Sequence, residues 1–202
     1  MKLYYAPGAC SQAPHIVARE AGLPVEIVKV DLAAKQTEHG EDYRSINPKG
    51  SVPALRLDSG EVLTENAVIL QYLADQAPGS ELALPESGIE RYRLLESLNF
   101  IATELHKGFG PLWNPAAPDA FKDATRELLG KKFHYLQQKI GDGPYILGER
   151  FSILDAYAFV VLNWSRIHRI DVDRWPGLAL YLKRVSERPA VQETLRAEGL
   201  IQ

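Results

Sequence analysis

The feature that most constrains this chain is a change of pattern near residue 80. Before it, short β-rich runs alternate with helix signals; after it, no convincing strand occurs. The change coincides with a cluster of breakers, Pro78, Gly79, Pro85 and Gly88. This pattern predicts a small α/β domain over residues 1–78, a linker over 79–87 and an all-helical domain over 88–202. In the first part, strands are expected at Lys2–Tyr5, Val25–Val30, Val52–Leu57 and Glu61–Leu63. Helices are expected at Ser11–Glu20, Glu41–Ile46 and Glu65–Gln76, with Lys35–Gly40 as a loop. In the second, Ile89–Phe109 reads as one long helix whose apolar face holds Tyr92, Leu95, Leu98, Ala102, Leu105 and Phe109. Ala120–Ile140 is another amphipathic stretch. Ser152–Asp155 is a capping box opening a helix that runs to about His168. Leu178–Glu187 and Val191–Glu198 complete the chain.

Composition narrows the function classes. A chain of 202 residues, 46% hydrophobic and 24% charged, can bury a substantial core as a soluble protein. A net charge of −3 argues against a large basic nucleic-acid surface. One cysteine rules out an intrachain disulfide and fits a reducing cytoplasm. Met1–Tyr5 reads as a strand rather than a signal peptide, and no apolar run is long enough to span a membrane. No metal site is expected.

The single cysteine, Cys10, follows a strand and a Pro7-Gly8-Ala9 turn and precedes a helix. Unpaired N–H groups and the positive end of the helix dipole favour thiolate there, and thiolate is the reactive form. Cys10-Ser11-Gln12-Ala13 has alanine where a two-thiol motif has its second cysteine. Such a site can form a mixed disulfide only with an outside thiol. The plainer alternative is a small buried hydrophobe. Val52-Pro53 opens a β-rich run. It is either an ordinary trans edge proline or a cis bend that leaves the N–H and C=O of Val52 facing a cleft, open to an extended peptide-like ligand. Thr64-Glu65-Asn66 opens a helix. One reading is capping, with Thr64 as N-cap; the other is a site for an amino-acid end, carboxylate on the N–H of Asn66 and ammonium on Glu65. Asn99, Thr103 and His106, at i, i+4 and i+7, form a polar stripe that is either a solvated face or a group able to serve a thiol. Lys35 and Lys107 are surface charges or holders of a ligand carboxylate.

Together these residues resemble the glutathione transferase family, and within it the bacterial beta class. The matching segments are Tyr5–Ser11, Asn47–Leu55, Thr64–Ala67, Asn99-Phe100 and Glu104–Lys107. The resemblance spans essentially the whole chain. It implies an α+β thioredoxin-like N-terminal domain with a mixed four-stranded sheet, followed by an all-α domain. It implies an enzyme that binds glutathione for conjugation to small hydrophobic electrophiles or for thiol–disulfide exchange through Cys10. In that picture Cys10 contacts the glutathione sulfur, and Val52, before the cis-proline Pro53, pairs with the cysteinyl backbone. Glu65 and the backbone of Asn66 take the γ-glutamyl end, and Lys35 lies near the glycyl carboxylate. Asn99, His106 and Lys107 surround the thiol. Thr103 and Glu104 reach the site of the other subunit in a homodimer. Ser51 stands where some relatives carry a tyrosine. Phe109, Trp113 and Trp164 are candidates for the second-substrate pocket. Two other readings compete: a monothiol glutaredoxin-like reductase, which shares the first domain and against which the helical domain counts, and a non-catalytic interaction module on this fold, which would not need Cys10, Glu65 and His106.

Overall fold

Strand β1 (Lys2–Tyr5) is the middle of a five-stranded sheet, and Leu3, Tyr4 and Tyr5 are buried there. β2 (Glu26–Asp31) runs parallel to β1 with Leu3 opposite Ile27. β4 (Ala54–Arg56) runs antiparallel on the other side, with Leu3 opposite Leu55. β5 (Val62–Thr64) returns from β4 through a turn at Gly60, whose φ of 92° suits glycine. The fifth strand, β3 (Gln36–Thr37), pairs antiparallel with β2 at the outer edge. It lies in the segment read as loop. A two-residue strand of polar residues carries no periodicity, so the sheet has one strand more than the expected four. The strand order is β3-β2-β1-β4-β5.

The computed structural model describes residues 1–82 and 84–202. Parallel β1 and β2 need a crossover, and α1 (Gln12–Glu20) provides it. Its Pro14 falls in the first turn, where helix N–H groups have no intrahelical partner to lose. Gly22, at φ 63°, ends the helix in a Schellman turn: Leu23 N–H donates to the Ala18 carbonyl and Gly22 N–H to that of Arg19. The short helix α2 (Tyr43–Ile46) is capped by Asp42, whose side chain accepts from the Arg44 N–H. Helix α3 (Asn66–Asp75) packs on α1.

The all-helical part begins with α4 (Gly88–Phe100), which does not continue as α-helix to Phe109. Ile101–His106 is a π-helical turn, Lys107–Phe109 a 3₁₀ turn and α5 (Gly110–Trp113) a short α-helix. The buried face is Leu94, Leu98, Ile101, Leu105 and Phe109; Tyr92 is 67% exposed, so the expected face was rotated. Next come α6 (Asp119–Ile140), α7 (Ile153–Ile167) and α8 (Pro176–Ser186). Helix α7 is the core of this unit, with Ile153–Leu162 buried throughout. The capping box is present: Asp155 accepts from Ser152 N–H and Oγ, each at 2.8 Å, from Ile146 N–H at 2.9 Å and from the Tyr181 hydroxyl at 3.1 Å. Burial pushes this carboxyl up to about 6, against the lowering effect of those hydrogen bonds.

Two compact units result: Met1–Leu84 with Arg188–Gln202, and Pro85–Glu187. The change between them falls inside the 79–87 stretch. The last fifteen residues, read as part of the helical domain, instead pack on the first unit. Helix α9 (Pro189–Ala197) lies against α1. Arg188 grips Glu20 through Nε and Nη2 at 2.6 and 2.9 Å. The fully buried Glu198 carboxylate accepts from Gly8 N–H, Gln12 Nε2 and the His15 ring, all at 3.0 Å.

Candidate active site

In the first unit, Cys10 sits just before the N-cap of α1 and is 9% exposed. The turn that carries it is held from both ends. The Ser11 hydroxyl accepts from Ala6 N–H and reaches back to the Ala6 carbonyl, so it braces the turn rather than capping the helix. Gly8 N–H is tied to Glu198. The Cys10 Sγ lies 3.4 Å from the carbonyl oxygen of Val52. A carbonyl accepts from a thiol and not from a thiolate, so ionised sulfur must turn toward another partner.

The Val52-Pro53 bond is cis. The preceding loop is fixed by its backbone oxygens: the Ser51 carbonyl accepts from the Tyr43 hydroxyl at 2.9 Å and from Asn47 Nδ2 at 2.7 Å. Burial pushes the Tyr43 phenol up to about 12, so it stays a donor through the neutral range. The Ser51 side chain is exposed. Lys35 Nζ donates to the Gly50 carbonyl at 2.7 Å, which brings this cation to the same loop. Of the Val52 peptide edge, the N–H has no acceptor among the described residues, whereas the carbonyl is engaged by Cys10 rather than left unpaired.

Across β5 lies the entry to α3. The N-cap is Glu65, one residue beyond the expected Thr64, which is the last residue of β5. Glu65 has φ 70°, a left-handed value that costs a non-glycine residue about 1–3 kcal/mol. Its side chain caps nothing. It projects outward, 67% exposed, and meets Lys49 Nζ at 2.5 Å. Asn66, at the first helical position, is buried, and its side-chain oxygen and nitrogen have no partner among the described residues. Thus Cys10, Val52, Pro53, Glu65, Asn66, Lys35 and Ser51 share one unit and are set by neighbouring elements of one sheet. Lys49, Tyr43, Ser11 and Glu198 support them. Of these, Lys49 lies within the quoted Asn47–Leu55 segment, and Glu198 had no local signal.

The remaining candidates lie in the second unit. His106 Nδ1 is 2.6 Å from the Tyr157 hydroxyl, and its ring meets the edge of Trp164 at 5.0 Å. Tyr157 carries no separate sequence signal, because it lies amid the apolar run of α7. Trp164 and the half-exposed Trp113 contact each other edge to face at 5.6 Å. Phe109 is fully buried against Phe133, Trp164 and His168, so it belongs to the core and presents no wall to a ligand. Asn99, Thr103 and Lys107 are exposed, and the Thr103 hydroxyl bonds back to the Asn99 carbonyl. Glu104 is paired within the chain: Lys132 Nζ contacts its carboxylate at 2.8 Å and its carbonyl at 3.0 Å. Among the described residues no cluster suited to a metal ion occurs, and no helix is long and apolar enough to cross a membrane.

Comparison with known proteins identifies the family. Residues 8–76 match the glutathione S-transferase N-terminal domain and residues 100–189 its C-terminal domain. Glutathione S-transferase GstA of Escherichia coli O157:H7 is 48% identical over 99% of this chain and 100% of its own. A sphingomonad glutathione S-transferase solved in complex with glutathione superimposes with a TM-score of 0.95 at 48% identity, covering 100% of both chains. The bacterial beta class enzyme of Sphingomonas chungbukensis does so with a TM-score of 0.95 at 45% identity, again over 100% of both. The chain belongs to the glutathione S-transferase family, in its bacterial beta class, and is a glutathione transferase rather than a non-catalytic module on the same fold.

Proposed function

We propose that the first unit binds glutathione around Cys10 and that the enzyme uses it both to conjugate small hydrophobic electrophiles and to exchange disulfides. The observation that carries this is the 3.4 Å contact of Cys10 Sγ with the Val52 carbonyl. It puts the chain's one thiol beside a backbone edge whose N–H is open to a peptide-like ligand. Glutathione is a γ-linked tripeptide with a carboxylate at each end, one ammonium and a central thiol. Lys35 supplies a cation for the glycyl carboxylate, Val52 N–H an extended-strand partner for the cysteinyl amide, and the N-terminus of α3 at Asn66 a seat for the γ-glutamyl carboxylate. Glu65 takes the ammonium, which displaces the Lys49 ammonium now on it. The buried, unsatisfied Asn66 amide gains partners when a polar ligand arrives.

In conjugation, the glutathione sulfur forms a bond to the electrophilic carbon, the leaving group departs with its electron pair, and the thiol proton passes to solvent or a base. His106, bonded to Tyr157, is our candidate for stabilising that sulfur, and Asn99 and Lys107 are assigned to its surroundings. Trp113 and Trp164 are the candidate walls for the electrophile. In exchange, Cys10 thiolate attacks the glutathionyl sulfur of a mixed disulfide R–S–SG, the R thiolate leaves and a Cys10–glutathione disulfide forms; a second glutathione thiolate then attacks its glutathionyl sulfur, which releases glutathione disulfide and regenerates Cys10. We infer a homodimer in which α4 contributes to the interface, supported by exposed Ile89 and Tyr92 on that helix. Thr103 and Glu104 are its candidate cross-subunit residues. A cytoplasmic, detoxifying role fits a chain with one cysteine. The test is a panel of electrophiles and glutathionyl disulfides run with wild type and Cys10→Ala. Wild type should turn over both classes with glutathione, and the variant should lose disulfide exchange. Turnover of neither class would reject the reading.

A further inference from the structure

The second unit contains a cleft of about 640 Å³ between α6 and the 169–175 segment. Both of its sides carry cations: Arg126 and Lys131 come from α6, Arg169 and Arg174 from the segment after α7. Two carboxylates, Glu127 and Asp171, offset part of that charge. Asp171 is occupied as the cap of the Val172–Arg174 turn, accepting from the Asp173 N–H. Arg126 is fixed in place, with Nε on the His168 carbonyl at 3.0 Å and Nη1 on Asp123 at 2.7 Å. Lys131, Arg169 and Arg174 form no ion pair among the described residues. The Arg174 guanidinium instead lies over the Trp175 ring, 5.1 Å from its centroid. The close approach of the two sides is specific to the sequence: a Cβ at Gly130 would come within 3.1 Å of the Trp175 ring.

A chain carrying a net charge of −3 has no general surplus of cations to spread over its surface. Concentrating them on two facing sides of one cleft costs mutual repulsion that an anion between them relieves. A recess whose lining is net positive, four Lys/Arg side chains against two carboxylates, also raises the local concentration of anions. The volume lies in the range of small-molecule sites. Cations on both sides call for at least two oxyanionic groups, one for each. The interspersed carboxylates disfavour an extended phosphate backbone running across the surface.

We propose that this cleft is a binding site for a small polyanion carrying two or more phosphate or carboxylate groups, separate from the glutathione site. The test is titration calorimetry of the full chain with inorganic pyrophosphate, and in parallel with citrate, against sodium chloride at matched ionic strength. Wild type should show saturable binding of at least one probe. The double variant Arg169→Glu/Arg174→Glu, both positions being exposed, should weaken it at least tenfold. Lys139→Glu, a cation of α6 outside the cleft, should leave it within about twofold. Circular dichroism and unchanged glutathione affinity check that the variants are folded. Absence of saturable binding in wild type, undiminished binding in the double variant, or equal loss in Lys139→Glu would overturn the proposal. A preference for pyrophosphate over citrate would assign the site to phosphorylated ligands, and the reverse to polycarboxylates.

Discussion

A thiol that is 9% exposed reacts only with what its surroundings admit, and in the proposed site those surroundings seat glutathione beside Cys10. Exposure to glutathione disulfide should therefore add one glutathione to the intact mass of wild type and none to Cys10→Ala. An unmodified wild-type mass would remove Cys10 from the chemistry. At this scale the sequence was informative where structure is written locally. The Cys10 turn, Val52-Pro53 and Glu65-Asn66 each sit at a junction between two elements, and junctions are marked by Pro, Gly and capping residues. What stayed hidden depends on the third dimension. Glu198 reaches Gly8 across the whole chain. The N-cap falls at Glu65 and not at the expected Thr64, because a positive φ has no sequence signature. Phe109 has the same helical spacing whether it lines a pocket or fills a core, and here it fills the core.

Elements with strong periodicity were legible, and those defined by hydrogen-bond pattern were not. β1, α1, α3, α6 and α7 lie within a residue or two of the expected bounds. The π-helical turn Ile101–His106 was invisible, because i→i+5 bonding leaves no compositional mark. It matters for His106: spacing arguments at 3.6 residues per turn fail across it. The capping box of α7 gives a quantitative check. The folded Asp155 carboxyl is raised to about 6 by burial, above the ordinary 3.8. Between those values the folded state holds a proton that the unfolded state has lost. This group's contribution to stability is thus largest below pH 3.8 and declines as pH rises toward 6. Carbon-detected NMR should show Asp155 titrating near pH 6; a midpoint at or below 3.8 would contradict its placement. Asp155→Ala strands the Ile146 and Ser152 N–H groups, at about 1–3 kcal/mol for each buried unsatisfied donor.

At the scale of the whole molecule, the break near residue 80 was legible because β and helical periods differ, and the return of α9 to the first unit was not, because a helix does not announce its partner. Sedimentation should give a dimer of 22.5 kDa chains at micromolar concentration. Within it, Glu104→Ala should alter glutathione affinity only if the neighbouring subunit competes successfully with Lys132; a monomer with full affinity would discard the shared site. The central claim is that Glu65 at the start of α3 recognises the amino-acid end of glutathione. Titration calorimetry with glutathione and with its analogue lacking the α-amino group, on wild type and Glu65→Ala, tests it directly. A charge-assisted hydrogen bond is worth about 1.5–3 kcal/mol, so wild type should lose about 10- to 150-fold in affinity for the analogue. Glu65→Ala should bind both ligands with that same weak affinity. Equal binding of the two ligands by wild type, or a Glu65→Ala variant that still prefers glutathione, would contradict the account.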